Sequence, residues 1–240
     1  MYNNHLNAMQ LPCCDECDHK NESFFCNLII EDLKDLSLNK SSSIYKKGQV
    51  IFHEGNRPHG LYCIYEGKVK LYKIGQFGKE QILRLASNCD IMGYRSLICN
   101  ERYYATATAL EDSKICHISM ESFNRVLDNS SDLNYRLMKL LTKDIKDSEN
   151  KIINISQKSV EERVAEALIV LREKFGTEED EKTLNTSITR KEIGDMAGVT
   201  TESTIRKLSD MRQEGIIEIN GRKIVIPDFQ RLIRIANLCD

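Results

Sequence analysis

The apolar period of this 240-residue chain switches from strand-like to helical near Ser119, and the switch restricts the fold more than any single motif. Between Ser43 and Ser119, Val50-Ile51-Phe52, Leu61-Tyr62-Cys63-Ile64, Val69-Lys70-Leu71-Tyr72 and Ile82-Leu83-Arg84-Leu85 are short runs rich in strand-favouring residues. Gly48, Gly55, Gly60, Gly67, Gly75, Gly78 and Gly93 punctuate them. Short strands with glycines at the turns predict an antiparallel barrel or jelly roll. Strands followed by helices predict an α+β chain.

Helical spacing governs the remainder. MESFNRVLDNSSD carries serines and Asp132 that mark a helix start, and LNYRLMKLLTKDIKDSENKIINI follows it. Leu133, Leu137, Leu141, Ile145, Ser148, Ile152 and Ile155 recur three or four apart there, one long apolar stripe with a small polar interruption. Such a stripe packs on the roll or forms a parallel dimer seam. Ser159 to Phe175 is a further amphipathic helix, and GTEEDEKTLN after it is an acidic, polar loop.

The stretch from Thr189 to Arg212 reads as two helices around a tight turn. Thr189 and Glu192 form a capping box, and Gly198 ends the first helix. Ile193, Met196, Val199, Ile205, Leu208 and Met211 predict one shared buried face. Thr201, Glu202, Ser203 and Arg206 gather at the exposed start of the second helix, the part a helix-turn-helix inserts into the major groove. Glu202 and Arg206 lie four apart on one face. They suit an exposed salt bridge of a few tenths of a kcal/mol. They also suit base reading, Arg206 bidentate to guanine and Glu202 accepting from a cytosine amino group, at about 1–3 kcal/mol per contact. Thr189, Arg190, Lys191 and Lys207 are candidates for the phosphate backbone. Asn220-Gly221 between Ile216-Ile217 and Ile224-Val225-Ile226 predicts a hairpin with Arg222 and Lys223 at its tip, suited to phosphates or to a plain solvated turn. Phe229 to Leu238 should close the chain as a short helix.

Charged residues make up 29% of the chain and apolar ones 41%, as in a soluble globular protein. The net charge of -2 does not advertise nucleic-acid binding, but phosphate contact depends on where Lys and Arg sit. No apolar run reaches the roughly eighteen residues of a membrane span, and MYNNHLNAMQ lacks the parts of a signal peptide, so a cytoplasmic protein without membrane contact is expected. The 9 cysteines, an odd count, argue against a secreted disulfide framework. Cys14, Cys17 and Cys26, in CCDECDHKNESFFC, stand in an arm whose large apolar groups are Phe24, Phe25 and Leu28, too few to order it by burial alone. A thiolate-bound zinc or iron-sulfur site would hold it; a reactive or inert thiol arm is the alternative.

KKGQVIFHEGNRPHGLYCIYEGKVKLYK, GKEQILRLASNCDIMGYRSL and ATATALEDSKICHIS resemble the effector domain of the Crp/Fnr superfamily of bacterial transcription regulators. With the later segments, the similarity runs from roughly Cys13 to the C-terminus. It implies a cyclic-nucleotide-binding-like β jelly roll, a long dimerisation helix and a C-terminal winged helix-turn-helix. The corresponding division is 1–28 for the arm, 29–128 for the roll, 129–157 for the dimerisation helix and 158–240 for the DNA-binding domain. The seam would use Leu137, Leu141, Ile145, Ser148 and Ile152. Cyclic AMP requires a Gly-Glu and an Arg-Ser pair where this chain has Gly93-Tyr94-Arg95 and Tyr103-Tyr104-Ala105, so that ligand does not fit.

The fumarate and nitrate reduction branch of the superfamily carries an oxygen-sensitive 4Fe-4S cluster. Its pattern, carried over here, implies Cys14, Cys17, Cys26 and Cys116 as ligands, with Cys99 as the substitute for the fourth. Eight residues separate Cys17 from Cys26, more than that branch usually has, and a longer loop adds little closure entropy. Cys63, Cys89 and Cys99 otherwise read as small structural residues. The recognition helix matches the family at Glu202 and Arg206, whereas Ile205 stands where the branch often has serine. The resemblance further implies a homodimer on palindromic double-stranded DNA and RNA polymerase as a partner, with the Ile74 to Glu80 loop either a contact for it or, the favoured reading, a plain solvated turn. The same fold answering to haem, nitric oxide or a metabolite without a cluster is the alternative. For an enzyme the chain shows no nucleophile with its base and no nucleotide-cradling loop.

Overall fold

The computed structural model describes residues 12–238, so the first part of the expected arm and the last two residues of the expected DNA-binding domain lie outside the described residues. The chain packs as two compact units. One comprises the residues up to Leu71 with Ala86–Leu141; the other comprises Tyr72–Leu85 with Thr142 onward.

In chain order, α1 (Ile30–Leu38) leads into β1 (Lys40–Tyr45), β2 (Val50–Phe52), β3 (Gly60–Glu66) and β4 (Val69–Ile74). β5 (Glu80–Ala86), β6 (Ile91–Met92), α2 (Tyr94–Ile98), β7 (Thr106–Ala109) and β8 (Ser113–Ser119) follow. The strands form two four-stranded sheets, β1-β8-β3-β6 and β2-β7-β4-β5. All four runs read as strands from the sequence are strands. Ile64, Met92 and Ile115 of one sheet pack with Ile51, Phe52, Val69 and Ala107 of the other to fill the roll. Alternation turns the neighbouring residues of β3 and β8 to the opposite face. There Leu61 and Ile118 meet Tyr94 and Leu97 of α2, Phe123 and Val126 of α3 (Met120–Asn129), and Leu133 and Leu137 of α4 (Ser131–Gln157). Ser119 caps α3 by accepting from the Ser122 amide at 3.2 Å.

Phe25 of the arm is buried in that same core, so burial contributes to holding the arm. Polar ties supplement it. The Cys14 amide donates to Ser37 Oγ at 2.6 Å, Lys40 reaches the Pro12 carbonyl, and Tyr65 donates to Asp18 at 2.8 Å.

In the second unit, α5 (Val160–Phe175) begins at a capping box of Ser159 and Glu162. α6 (Arg190–Ala197) and α7 (Thr201–Gln213) follow, then β9 (Glu218–Asn220), β10 (Lys223–Val225) and α8 (Phe229–Ile235). Val164, Leu168, Leu171, Ile193, Leu208, Met211, Ile224 and Leu232 are buried among these elements. Ile216 and Ile217 belong to this core and precede β9, and α8 ends before the expected Leu238.

Candidate functional site

The capping box predicted at Thr189 is present. The Glu192 amide donates to Thr189 Oγ1 at 3.2 Å, and the Thr189 amide returns a bond to Glu192 Oε2 at 2.9 Å. Gly198 closes α6 in the left-handed conformation at φ 67, where glycine carries no steric penalty. Arg163, which sequence reasoning missed, donates to the carbonyls of Ala197 (3.1 Å) and Gly198 (3.4 Å) and so fixes the turn. Thr200 caps α7 by accepting from the Ser203 amide. Gly194 lets the two helices close, because a Cβ there would meet Thr204 Oγ1 at 2.8 Å.

The buried stripe of α7 is Thr204, Leu208 and Met211, and Ile205 is 52% exposed. This corrects the expected buried face: Ile205 stands outside with Glu202 and Arg206, since it lies one residue, or about 100°, off the stripe. The outer surface of α7 therefore offers a carboxylate, a branched apolar group and a guanidinium side by side.

The predicted cations divide. Lys191 is paired with Glu80 (3.0 Å) and the buried Asp195 (2.8 Å). Burial lowers its pKa, but the hydrogen bonds to Asp195 and Glu80 outweigh that and raise it. Lys207 faces Glu161 and Asp210, and Lys223 is 2.8 Å from Glu178. None of the ion pairs among the described residues involves Arg190, Arg206 or Arg222. The hairpin is shifted by one residue from its predicted place. Asn220 pairs with Lys223, leaving Gly221 at φ 64 and Arg222 as the two turn residues, with glycine at the first central position. Thr201 and Ser203 are half-buried at the start of α7, and Arg190 is half-buried beside Thr189.

Along α4 the predicted stripe separates into two uses. Leu133 and Leu137 are buried in the N-terminal core, and Leu141 packs against it. Met138, Ile145, Ile152 and Ile155 are exposed. Met138, Ile145 and Ile152 recur every seven residues, and so do Leu141, Ser148 and Ile155, the two alternating apolar rows of a heptad repeat. Ser148 turns back to the Asp144 carbonyl at 2.7 Å, so its hydroxyl is satisfied within its own helix.

Cys116 of β8 lies directly opposite Cys63 of β3 on the face that receives the arm. Burial pushes the Cys63 thiol well above its ordinary value, and Cys116, Cys89, Cys17 and Cys14 add to the effect, in that order. Cys116 is raised by burial too, against the pull of the Lys40 charge and the Ser42 hydroxyl, with Cys14 and Cys17 acting on it as well. Cys14 packs against the same core as Cys63, so the arm and the Cys63–Cys116 pair share one face, but the four expected ligands do not gather within 4.8 Å of one another among the described residues. All-sulfur donors on a shielded strand face are chemically suited to iron-sulfur or zinc. Cys26 engages Arg136 of α4, which donates to its sulfur at 2.8 Å, to its carbonyl and to the Phe24 carbonyl, while its other nitrogen pairs with Asp132 at 2.5 Å. Cys99 is exposed at the end of α2.

Inside the roll, Tyr103 stacks on Phe52 with ring centroids 4.1 Å apart, and Phe52 lies against Tyr62 at 5.3 Å. Burial holds the Tyr103 hydroxyl well above its usual pKa. These rings, with buried Tyr94, occupy the neighbourhood of the two motifs in which a cyclic nucleotide requires an acid and an arginine. Among the described residues no helix is long and apolar enough to cross a membrane.

Residues 43–130 match the cyclic nucleotide-binding domain family and residues 162–235 match the Crp-like helix-turn-helix domain family. The chain is 30% identical over 192 residues to electron transport regulator A of Shewanella oneidensis, covering 80% of this chain and 76% of that protein. It is 29% identical, with the same coverage, to the fumarate and nitrate reduction regulatory protein of Escherichia coli. The structure of FixK2 from Bradyrhizobium japonicum superposes with a TM-score of 0.74 at 23% identity, over 82% of this chain and 96% of that one. Two family matches in this order, around a paired reader with its outward carboxylate and guanidinium, place the chain in the Crp/Fnr family of DNA-binding transcription regulators, which are not enzymes.

Proposed function

We propose that this regulator works in the cytoplasm as a homodimer on a palindromic DNA site and is switched by oxygen or redox state through a 4Fe-4S cluster on Cys14, Cys17, Cys26 and Cys116. The observation that supports the reading is that Cys14 of the arm packs on the same core face as Cys63, the residue paired with Cys116 across β3 and β8. Relatives named for electron transport and for fumarate and nitrate reduction support a redox signal.

A cluster bound there supplies oxygen-labile iron-sulfur bonds. The chain's own residues supply the coupling. Arg136 ties the Cys26 end of the arm to α4, the helix that also carries the exposed heptad rows. An arm rearrangement at Cys26 therefore acts on the helix that pairs the two copies. Pairing matters because one recognition helix, at about 1–3 kcal/mol per mismatched base pair, cannot outcompete a genome of other sites. Arg206 and Glu202 read base edges, and Arg222 and Arg190 meet phosphates. Phe77, fully exposed between β4 and β5, marks the surface offered to RNA polymerase.

The test is the ultraviolet-visible spectrum and iron content of anaerobically purified protein, followed by DNA retardation before and after air. A coloured, iron-containing protein that loses its site-specific complex in air is expected. A colourless, iron-free protein whose DNA binding ignores air would rule the cluster out and leave the same regulator answering to another small ligand.

A further inference from the structure

A second set of metal-ligating side chains lies beside the cysteine arm and uses none of the four proposed cluster ligands. His19, Glu22 and Cys89 present an imidazole nitrogen, a carboxylate oxygen and a thiol sulfur, all within 4.8 Å of one another. The amides of Glu22 and Ser23 both donate to the His19 carbonyl, at 3.1 and 2.9 Å, and this tight winding turns positions 19 and 22 to one side. The His19 ring meets Tyr65 edge-on at 5.3 Å, and the Tyr65 hydroxyl holds neighbouring Asp18 at 2.8 Å, which sets the arm in place over β3.

Cys89 comes from a separate part of the chain, the turn between β5 and β6. Its backbone is left-handed at φ 71, a conformation that non-glycine residues rarely adopt. The turn is fastened to β3 all the same: the Cys89 amide donates to the Ile64 carbonyl at 2.9 Å, and the Ile64 amide to the Asp90 carbonyl at 3.0 Å.

We propose that His19, Glu22 and Cys89 form a zinc site that clasps the arm to the β5–β6 turn. The mixed nitrogen, oxygen and sulfur set suits zinc, which accepts all three donors, whereas calcium and magnesium take oxygen and copper(I) prefers sulfur. Three protein ligands leave the fourth tetrahedral position for water on the exposed Glu22 side. Zinc displaces the thiol proton as the zinc–sulfur bond forms, so no oxidant or reductant is needed. The site depends on no cluster and stands whether or not iron binds.

The experiment uses the full chain carrying Cys14→Ser and Cys17→Ser, stripped of metal and kept reduced. Zinc is titrated against a chromophoric chelator, and cobalt(II) is bound in parallel for its spectrum. One zinc per chain is expected, with tetrahedral cobalt bands and a thiolate-to-cobalt charge-transfer band. His19→Ala should weaken zinc at least tenfold, and Cys89→Ser should abolish the charge-transfer band. Cys89→Gly, in which the left-handed backbone is unstrained, should melt no lower than its parent and still bind no zinc, separating lost ligation from lost folding. Failure of the double-serine parent to bind zinc overturns the proposal, as does zinc binding that His19→Ala and Cys89→Gly leave unchanged.

Discussion

The Arg136 guanidinium holds Cys26 by both its sulfur and its carbonyl, joining two residues 110 positions apart. A hydrogen bond involving a charged group contributes about 1.5–3 kcal/mol. Arg136→Leu is therefore expected to raise the detached population of the arm tenfold or more. Amide hydrogen exchange across residues 14–26 measures it, with Arg136→Lys intermediate. Exchange as slow as in the wild type would show that the arm is held elsewhere.

Ile205 should read a thymine methyl group, because it is exposed between Glu202 and Arg206 on the outer face of α7. Burying one such group is worth about 0.8 kcal/mol, roughly fourfold in affinity. Replacing each thymine of the half-site in turn by uracil should find one position where wild-type binding falls by that factor and Ile205→Ala binding does not. Arg206→Ala should lose about 1–3 kcal/mol at a guanine position and relax preference there.

Gly194→Ala forces a methyl to within 2.8 Å of Thr204 Oγ1. Overpacking of this kind costs about 1–3 kcal/mol. Thermal unfolding should show the loss, and combining it with Thr204→Ala should recover part of it, since the two sites share the clash.

Ile145 is 60% exposed on α4, so Ile145→Glu should leave the melting temperature of the chain nearly unchanged while sedimentation shifts toward the monomer. Retention of the second half-site by a monomeric variant would contradict the proposed dimer seam.

Asp180 accepts from the Thr183 hydroxyl and from the amides of Thr183 and Lys182, which together lower its pKa to about 2. The folded value lies below the unfolded one near 3.9, so its stabilisation is complete above that value and disappears as pH falls toward 2. Thr183 in turn bridges Val225 of the wing strand β10. Melting curves of wild type and Asp180→Ala should separate above pH 4 and converge near pH 2.

Local chemistry was legible in the residues and distant pairing was not. Thr189 and Glu192 are three apart and announce their capping box, and Val50-Ile51-Phe52 announces a strand by composition. Ile205 was misplaced because an apolar residue one position off a helical stripe still fits the spacing of its neighbours. Lys191 and Lys223 looked free for phosphate, yet each faces a carboxylate from a distant segment, Glu80 and Glu178. Cys63 read as an ordinary strand residue, because its sulfur neighbours come from the arm, from β8 and from the turn carrying Cys89. Fold and reader followed from patterns within about a dozen residues, whereas the arm's attachments depend on residues that only folding brings together.

On α7 the two faces carry separate duties. Thr204, Leu208 and Met211 are buried and hold the helix, whereas Glu202, Ile205 and Arg206 are exposed. Changes on the outer face can therefore redirect the protein to a new half-site without weakening its scaffold. Substitutions at these three outward positions are therefore expected to cost the scaffold little stability.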